Sequence, residues 1–334
     1  DSYAPDSLFT TSNIAVRLEG NGSIDGAFYV TAHYDAIASH DEGWITDWTT
    51  LPAPGANDNG TGVAALLEIA RILSGMELPF DVVFVLFTGE ELGLLGSEDF
   101  VERMTQDEMD EVIGVFNLDM LGYVDTGADP GVLVVSNLSS GWLADLTLAS
   151  FQRSDPTLGK VLLKPGLTIY DHTSFWNAGM NAISFSEPFS EENEVIYPYY
   201  HSAADTMGHI DFEQVGRITS AIVGLVSDLA EAPAEISLLP SDLLFYWWGG
   251  VAAIRTFEMG DTLVVRIRPR NTGVGAMPDG VTINLEVNLE NQWGREVLFN
   301  GSFEPPPPYR TSPIDVRIPL GDRHAGENVI EAVI

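Results

Sequence analysis

The sequence predicts an α/β protein, a mostly parallel central sheet flanked by helices, followed by an all-β sandwich domain. Three observations carry this expectation. From residue 28 onward, short β-branched or aromatic runs alternate with helical patterns. Past residue 232 the pattern changes to segments that alternate apolar and polar residues between Gly, Asn and Pro turns. The charge shifts at the same place, from 36 acids and 7 bases (net −29) over 1–232 to 13 acids and 8 bases (net −5) over 233–334.

The elements follow in order. Residues 28–32 and 82–87 are β-branched or aromatic runs of strand length. Between them Val63, Leu66, Leu67, Ala70 and Leu73 recur at helical spacing, which predicts a helix over 62–73. Further strands are expected at 112–118, 132–135 and 182–186, and further helices at 97–104, 141–151 and 212–229. Ala-Pro-Ala-Glu at 232–235 reads as a break, which gives a first domain over 1–232, a linker at 233–235 and a sandwich over 236–334. In the sandwich, strands are expected at 262–269, 282–289, 295–303, 315–319 and 327–334, with a stiff proline loop at 305–308. The last strand runs to the chain end, as if a few residues followed it.

Composition narrows the function classes. The 334 residues are 45% apolar, enough for a sizeable core. A formal charge of −34 repels phosphate backbones and anionic headgroups, which argues against nucleic-acid binding and electrostatic membrane docking. With 10% aromatic residues the chain is not a disordered polyanion. Without cysteine there is no disulfide scaffold and no thiolate-held metal, so a catalytic metal must use His and carboxylates. No apolar run approaches the roughly 20 residues of a membrane span. The chain opens at Asp1 with no Met or signal-peptide pattern, as expected of a processed or trimmed product. The acid excess beside only two lysines suits a salt-rich environment in which like-charge repulsion is screened.

In an open parallel sheet, ligands gather at the carboxyl ends of the strands. His33 ends the first predicted strand, Glu90 and Glu91 follow the second, and Asp119 ends the third. Asp58 stands just before a predicted helix, and His201 precedes the last helix. Two His and several carboxylates without a thiol suit a hydrolytic zinc centre, and one shared carboxylate allows a two-metal site. Adjacent carboxylates such as Glu90 and Glu91 point differently, so one can bind metal while the other takes a proton from water. Taken singly, each residue has an ordinary reading: a rim His, a solvated helix start, a composition-typical Asn-Asp-Asn-Gly turn.

Together these stretches resemble a known family. Ala32-His33-Tyr34-Asp35, Pro54-Gly-Ala-Asn-Asp58-Asn-Gly-Thr-Gly62, Thr88-Gly-Glu90-Glu91-Leu-Gly-Leu-Leu-Gly96, Asn117-Leu-Asp119-Met120, Asp171-His172-Thr-Ser-Phe175 and Tyr200-His201-Ser-Ala-Ala-Asp205-Thr206 are similar to motifs of the co-catalytic zinc aminopeptidases of secreted bacterial leucyl aminopeptidase type. That family also includes glutaminyl cyclases and glutamate carboxypeptidases. The match spans about residues 12–230 in the family's motif order. The resemblance implies a zinc exopeptidase fold and a zinc peptidase catalytic domain over 1–232. It implies two Zn2+ ions, with Asp58 bridging, His33 and Asp119 completing one position, and Glu91 and His201 completing the other. Glu90 would be general base and acid, Tyr200 would polarise the scissile carbonyl, and Asp35 would orient His33. The resemblance also implies a cis peptide at Asp58–Asn59, a pocket-shaping role for Asp171-His172 and an extracellular location.

The activity so implied is hydrolysis of the N-terminal peptide bond of peptides or proteins through a zinc-bound hydroxide and the Glu90 base. The substrate's free α-amine would lie near Glu90 and Asp119. Two alternatives stand beside it: a glutaminyl cyclase-like acyl transferase using one zinc, and an inactive peptidase-like binding protein. Tyr170, Phe175 and Trp176 are candidates both for a pocket wall and for core. The C-terminal region weakly resembles bacterial Ig-like adhesion-type modules through 262–275, and the accessory role open to it is binding of protein or polysaccharide.

Overall fold

Before residue 187 the apolar runs lie side by side as strands of one sheet. An edge strand β1 (Ile14–Leu18) precedes β2 (Ala27–His33), which is followed by the short helix α1 (Trp44–Asp47) and by α2 (Gly60–Leu73). Then come β3 (Asp81–Phe87), α3 (Leu95–Glu102), α4 (Gln106–Glu111), β4 (Val112–Leu118), β5 (Val132–Ser136), α5 (Gly141–Ser154), β6 (Val161–Pro165), α6 (His172–Asn177), β7 (Ala182–Ser186) and α7 (Phe212–Glu231). The sheet order is β1-β3-β2-β4-β7-β5-β6. β3, β2, β4 and β7 run parallel, β1 is antiparallel to β3, and the β5–β6 pair is reversed against β7. This is the expected α/β sheet, mostly parallel, with one antiparallel edge and one reversed pair.

The computed structural model describes residues 10–124, 131–158, 161–165, 167–188, 197–231, 236–237, 243–247, 262–271, 281–311, 313–319 and 328–334. The chain forms two compact units, Asp1–Ala230 and Glu231–Ile334. The linker expected at 233–235 lies outside the described residues.

The inner strands β2, β4 and β7 are buried along their whole length and mostly apolar, because both faces of the sheet are covered there. In β2 every residue is buried; Ala27 and Tyr29 join one core with Val83, Val85, Phe87, Val115 and Phe175. Phe28 meets Phe80 edge-on at 4.8 Å between ring centroids and stacks on Phe116 at 5.5 Å. α2 buries Ala65, Leu66, Ile69 and Leu73 and leaves Leu67 exposed, so the predicted helix is present but its inner stripe excludes Leu67. Its start is two residues earlier than expected because the Asn59 side chain caps it, accepting from Gly62 N at 3.1 Å. α4 was not expected, since Gln-Asp-Glu-Met-Asp-Glu has no apolar stripe. A capping box between Thr105 and Glu108 starts it, and that Thr-x-x-Glu pattern was legible. β1 and β6 also went unpredicted; each is only five residues long, and β1 is almost wholly exposed.

The second unit contains β8 (Ile236–Ser237), β9 (Leu243–Trp247), β10 (Thr262–Ile267), β11 (Arg270–Asn271), β12 (Ile283–Asn291), β13 (Gly294–Phe303), β14 (Ile314–Pro319) and β15 (Asn328–Val333). Its described strands pair antiparallel as β14-β10-β9, β13-β12-β15 and the short β11-β8. Leu263, Val265, Ile267, Val316 and Ile318 of the first sheet share a core with Leu285 and Val287 of the second, the arrangement of a sandwich.

Candidate metal centre

Because β3, β2 and β4 are adjacent and parallel, their carboxyl ends open at one rim. His33 is the last residue of β2 and is buried. The chain leaving β3 passes Gly89 at φ 67°, a left-handed turn natural to glycine, into a 3-10 turn Glu90–Leu92. Asp119 follows β4 directly and its N–H donates to Phe185 O at 3.0 Å, which ties it to β7. Asp58 precedes α2, and its peptide to Asn59 is cis, as the resemblance implied.

Two groups of ligand-type atoms result, and they share one residue. His33, Asp58 and Asp119 form the first, Asp58, Glu91 and His201 the second, with the atoms of each group within 4.8 Å of one another. His33 Nε2 is 3.2 Å from Asp58 Oδ1 and 3.4 Å from Asp119 Oδ2. His201 Nε2 is 3.2 Å from Asp58 Oδ2 and 2.7 Å from Glu91 Oε2. Asp58 therefore offers one oxygen to each group. All five residues that the sequence nominated as ligands are brought together.

The donor set fits zinc by a test internal to the structure. Glu91 Oε1 and His201 Nε2 are buried without a hydrogen-bond partner, although Glu91 Oε2 lies 2.7 Å from that nitrogen. Close approach without hydrogen-bond alignment is what lone pairs converging on a third point produce, and uncompensated buried polar atoms are otherwise costly. Two imidazoles and carboxylates with no thiol are the ligands that zinc takes in hydrolytic sites.

The electrostatics of the protein alone show the same crowding of charge. Burial works against the charged form of Asp58, but the His201 and His33 imidazoles, each 3.2 Å from one of its oxygens, outweigh it and lower its pKa to about 2. Burial raises Glu91 to about 7, pushes Glu90 well above the usual carboxylate range and raises Asp119. Burial alone would lower both imidazoles; instead Asp58 and Glu91 bring His201 up to about 9, and Asp119 with Glu90 holds His33 well above 6.5. Tyr200 stacks on His201 with ring centroids 3.6 Å apart, and burial among the site carboxylates drives its phenol upward.

Asp35, expected to orient His33, lies beside that imidazole and also reaches the paired glutamates. Its carboxylate is 3.7 Å from His33 Nδ1, whereas its carbonyl oxygen lies 3.1 Å from that nitrogen. The carboxylate accepts from Glu90 N and Glu91 N, each at 3.2 Å. Asp35 thus fixes the paired glutamates as well as the imidazole. His172 is buried, 3.0 Å from Leu167 O through Nε2, and burial lowers its pKa to about 4. It belongs to neither ligand group. Phe175 is fully buried in the core, and Trp176 donates to Ala182 O at 2.8 Å. Tyr170 donates to Ser186 Oγ at 3.3 Å, and the charges of Asp119 and Asp58 reach it.

The supporting residues that sequence reasoning missed are Asp205, Asn57 and Glu187. Asp205 accepts from Asn57 N at 2.9 Å, Asp58 N at 3.1 Å and Tyr197 Oη at 2.6 Å. Asn57 Nδ2 donates to both Glu187 oxygens at 3.0 Å, and Glu187 Oε2 accepts from Tyr123 N. Asp205 and Asn57 stood within the Tyr200-to-Thr206 and Pro54-to-Gly62 stretches already singled out, without a role of their own; Glu187 had no local signal.

The comparisons with known proteins agree with this geometry. A model described as Peptidase family M28 matches residues 13–226. Aminopeptidase YwaD of Bacillus subtilis (strain 168) is 33% identical over 204 residues, covering 58% of this chain and 40% of that protein. Leucine aminopeptidase 1 of Ajellomyces capsulatus is 30% identical over 226 residues, covering 63% and 54%. The chain thus spans about half the length of the curated relatives it matches. Among solved structures, a zinc aminopeptidase from Bacillus subtilis aligns with TM-score 0.53 and 28% identity, covering 65% of this chain and 49% of that one. A glutaminyl cyclase from an Acidobacteriales bacterium shares the fold, with TM-score 0.52 at 19% identity over 64% and 72%.

Proposed function

Since this chain belongs to peptidase family M28, we propose that it is a di-zinc aminopeptidase, removing N-terminal residues from peptides. The observation that carries the proposal is Asp58, which presents one oxygen to each of two His-carboxylate groups. His33, Asp58 and Asp119 would hold one zinc, and Asp58, Glu91 and His201 the other. Zinc bound there supplies Lewis acidity and makes water a nucleophile near neutral pH.

The chain's own residues do the rest. Glu90 is held at its backbone by Asp35 and is not a member of either ligand group. Burial raises its pKa, so its carboxylate readily accepts the proton of the attacking water and then delivers it to the leaving amine. Tyr200, beside His201, donates a hydrogen bond to the carbonyl oxygen as negative charge develops on it. The carboxylates of Glu90 and Asp119 give a free α-ammonium its counter-charge, which selects substrates with an unblocked N-terminus. In this reading the peptidase lies within 1–232 and the sandwich is accessory. No helix among the described residues is long and apolar enough to cross a membrane.

The test compares leucine p-nitroanilide with its N-acetylated form, using zinc-loaded protein with and without chelator. Cleavage of the free-amine substrate alone, abolished by chelator, is expected. Glu90→Gln should retain metal and lose about 10²–10⁴ in kcat. Cleavage of neither substrate by protein with two bound zinc ions, or substantial turnover by Glu90→Gln, refutes the assignment. Cyclisation of an N-terminal glutamine by protein holding a single zinc would replace it with the acyl-transferase reading.

A further inference from the structure

We propose that Ser39, His40 and Asp41 form a positioning strap for His201, holding its Nε2 toward Glu91 and Asp58; the proposal rests on the two-metal reading above. His201 has φ 51°, in the left-handed region that a non-glycine residue occupies only when its surroundings impose it. The next helical turn, a 3-10 turn, begins only at Met207 and the next α-helix at Phe212, so regular structure does not account for the constraint.

The strap does. Ser39 Oγ lies 3.3 Å from His201 Nδ1. His40 N donates to His201 O at 2.9 Å, and its ring Nδ1 lies 3.0 Å from Tyr200 O. Asp41 Oδ2 accepts from Ala203 N at 2.7 Å. Three consecutive residues therefore grip three positions of one turn about 160 residues away in sequence. His40 also lies against the Tyr200 and His201 rings, at 5.7 and 5.4 Å between centroids.

The two imidazoles are thus held by different means. His33 sits in a strand, with Asp35 of its own segment at Nδ1. His201 has no strand; its ring lies on Tyr200, and Ser39 is the side chain at its Nδ1. When Nε2 is a metal ligand the proton resides on Nδ1, which donates to Ser39 Oγ and fixes both tautomer and ring plane. Removing that hydroxyl frees the ring on one side of the centre only.

The experiment measures zinc affinity rather than turnover. The full chain is titrated with zinc against a competing chelator, bound metal is counted after dialysis, and cobalt-loaded protein is followed by visible absorption. Ser39→Ala is expected to weaken one of two ions by about 10–100-fold, to leave the other within about twofold, and to alter the cobalt spectrum of the weakened position. Ser39→Thr, which keeps the hydroxyl, should restore both. Asp41→Asn should weaken the same ion. The strap is refuted if Ser39→Ala binds both ions as the parent does, if both weaken equally, or if Thr fails to rescue. A parent chain that binds one ion or none overturns the two-metal reading and the strap with it, and that result is seen before any variant is made.

Discussion

Lowering the pH from 8 to 6 should weaken zinc binding steeply, and the structure sets the size of the effect. In the metal-free protein His201 titrates at about 9 and Glu91 at about 7. Both must give up a proton before they can ligate. Competition between those protons and zinc scales the apparent affinity by the fraction of sites with both groups deprotonated. That fraction falls about a thousandfold from pH 8 to pH 6, or about 4 kcal/mol. Proton release per zinc at this position should be about two at pH 6 and about one at pH 8. His33, also held well above 6.5, adds its own proton, so these are lower bounds for the pair of ions. Calorimetric titration in buffers of different ionisation enthalpy counts the protons directly. Release below about one proton per pair of zinc ions at pH 6 would refute the charge-crowded site described above. The sign for folding is opposite: with both groups raised, the folded metal-free chain holds more protons at these two residues than the unfolded chain does between their unfolded and folded pKa values. The stability these two groups contribute therefore falls as pH rises from about 4.5 through about 9, and zinc should reverse that contribution.

Other expectations test the frame around the site. Asp205→Ala leaves Asn57 N, Asp58 N and Tyr197 Oη without their acceptor, which should cost about 3–5 kcal/mol in urea unfolding; a loss below about 1 kcal/mol would show that these bonds are replaceable. At Gly96 an added Cβ would fall 2.0 Å from the Thr88 carbonyl oxygen. Gly96→Ala should therefore destabilise by at least about 2 kcal/mol in thermal melts, since backbone must move to admit it. The formal charge of −34 predicts a melting temperature that rises from low to molar sodium chloride, and a flat response would count against salt adaptation.

How much was legible in advance differs from element to element. β2, β3, β4 and β7 were found because strands covered on both faces are rich in β-branched or aromatic residues. The five proposed ligands were found because each stands at a strand end or before a helix, within a motif whose order could be read. α4 and β1 were missed for the opposite reason: their residues are largely exposed, so no apolar pattern marks them. Phe175 was undecided between pocket and core until its contacts with Tyr29 and Phe87 were seen.

By itself, then, the sequence determined what depends on local order: the alternation of strands and helices, the types of side chain available to a metal, the absence of thiols and the excess of acid. Only the tertiary structure decided which atoms meet. It placed Asp205 under Asn57, 148 positions away, and Glu187 beside the same Asn57 across 130, and it gave the Asp35 carboxylate the Glu90 and Glu91 amides as partners. The physical reason is that apolar periodicity reports burial, which neighbours along the chain share. A buried polar group is specified only by its partner, and partners come from elsewhere in the fold.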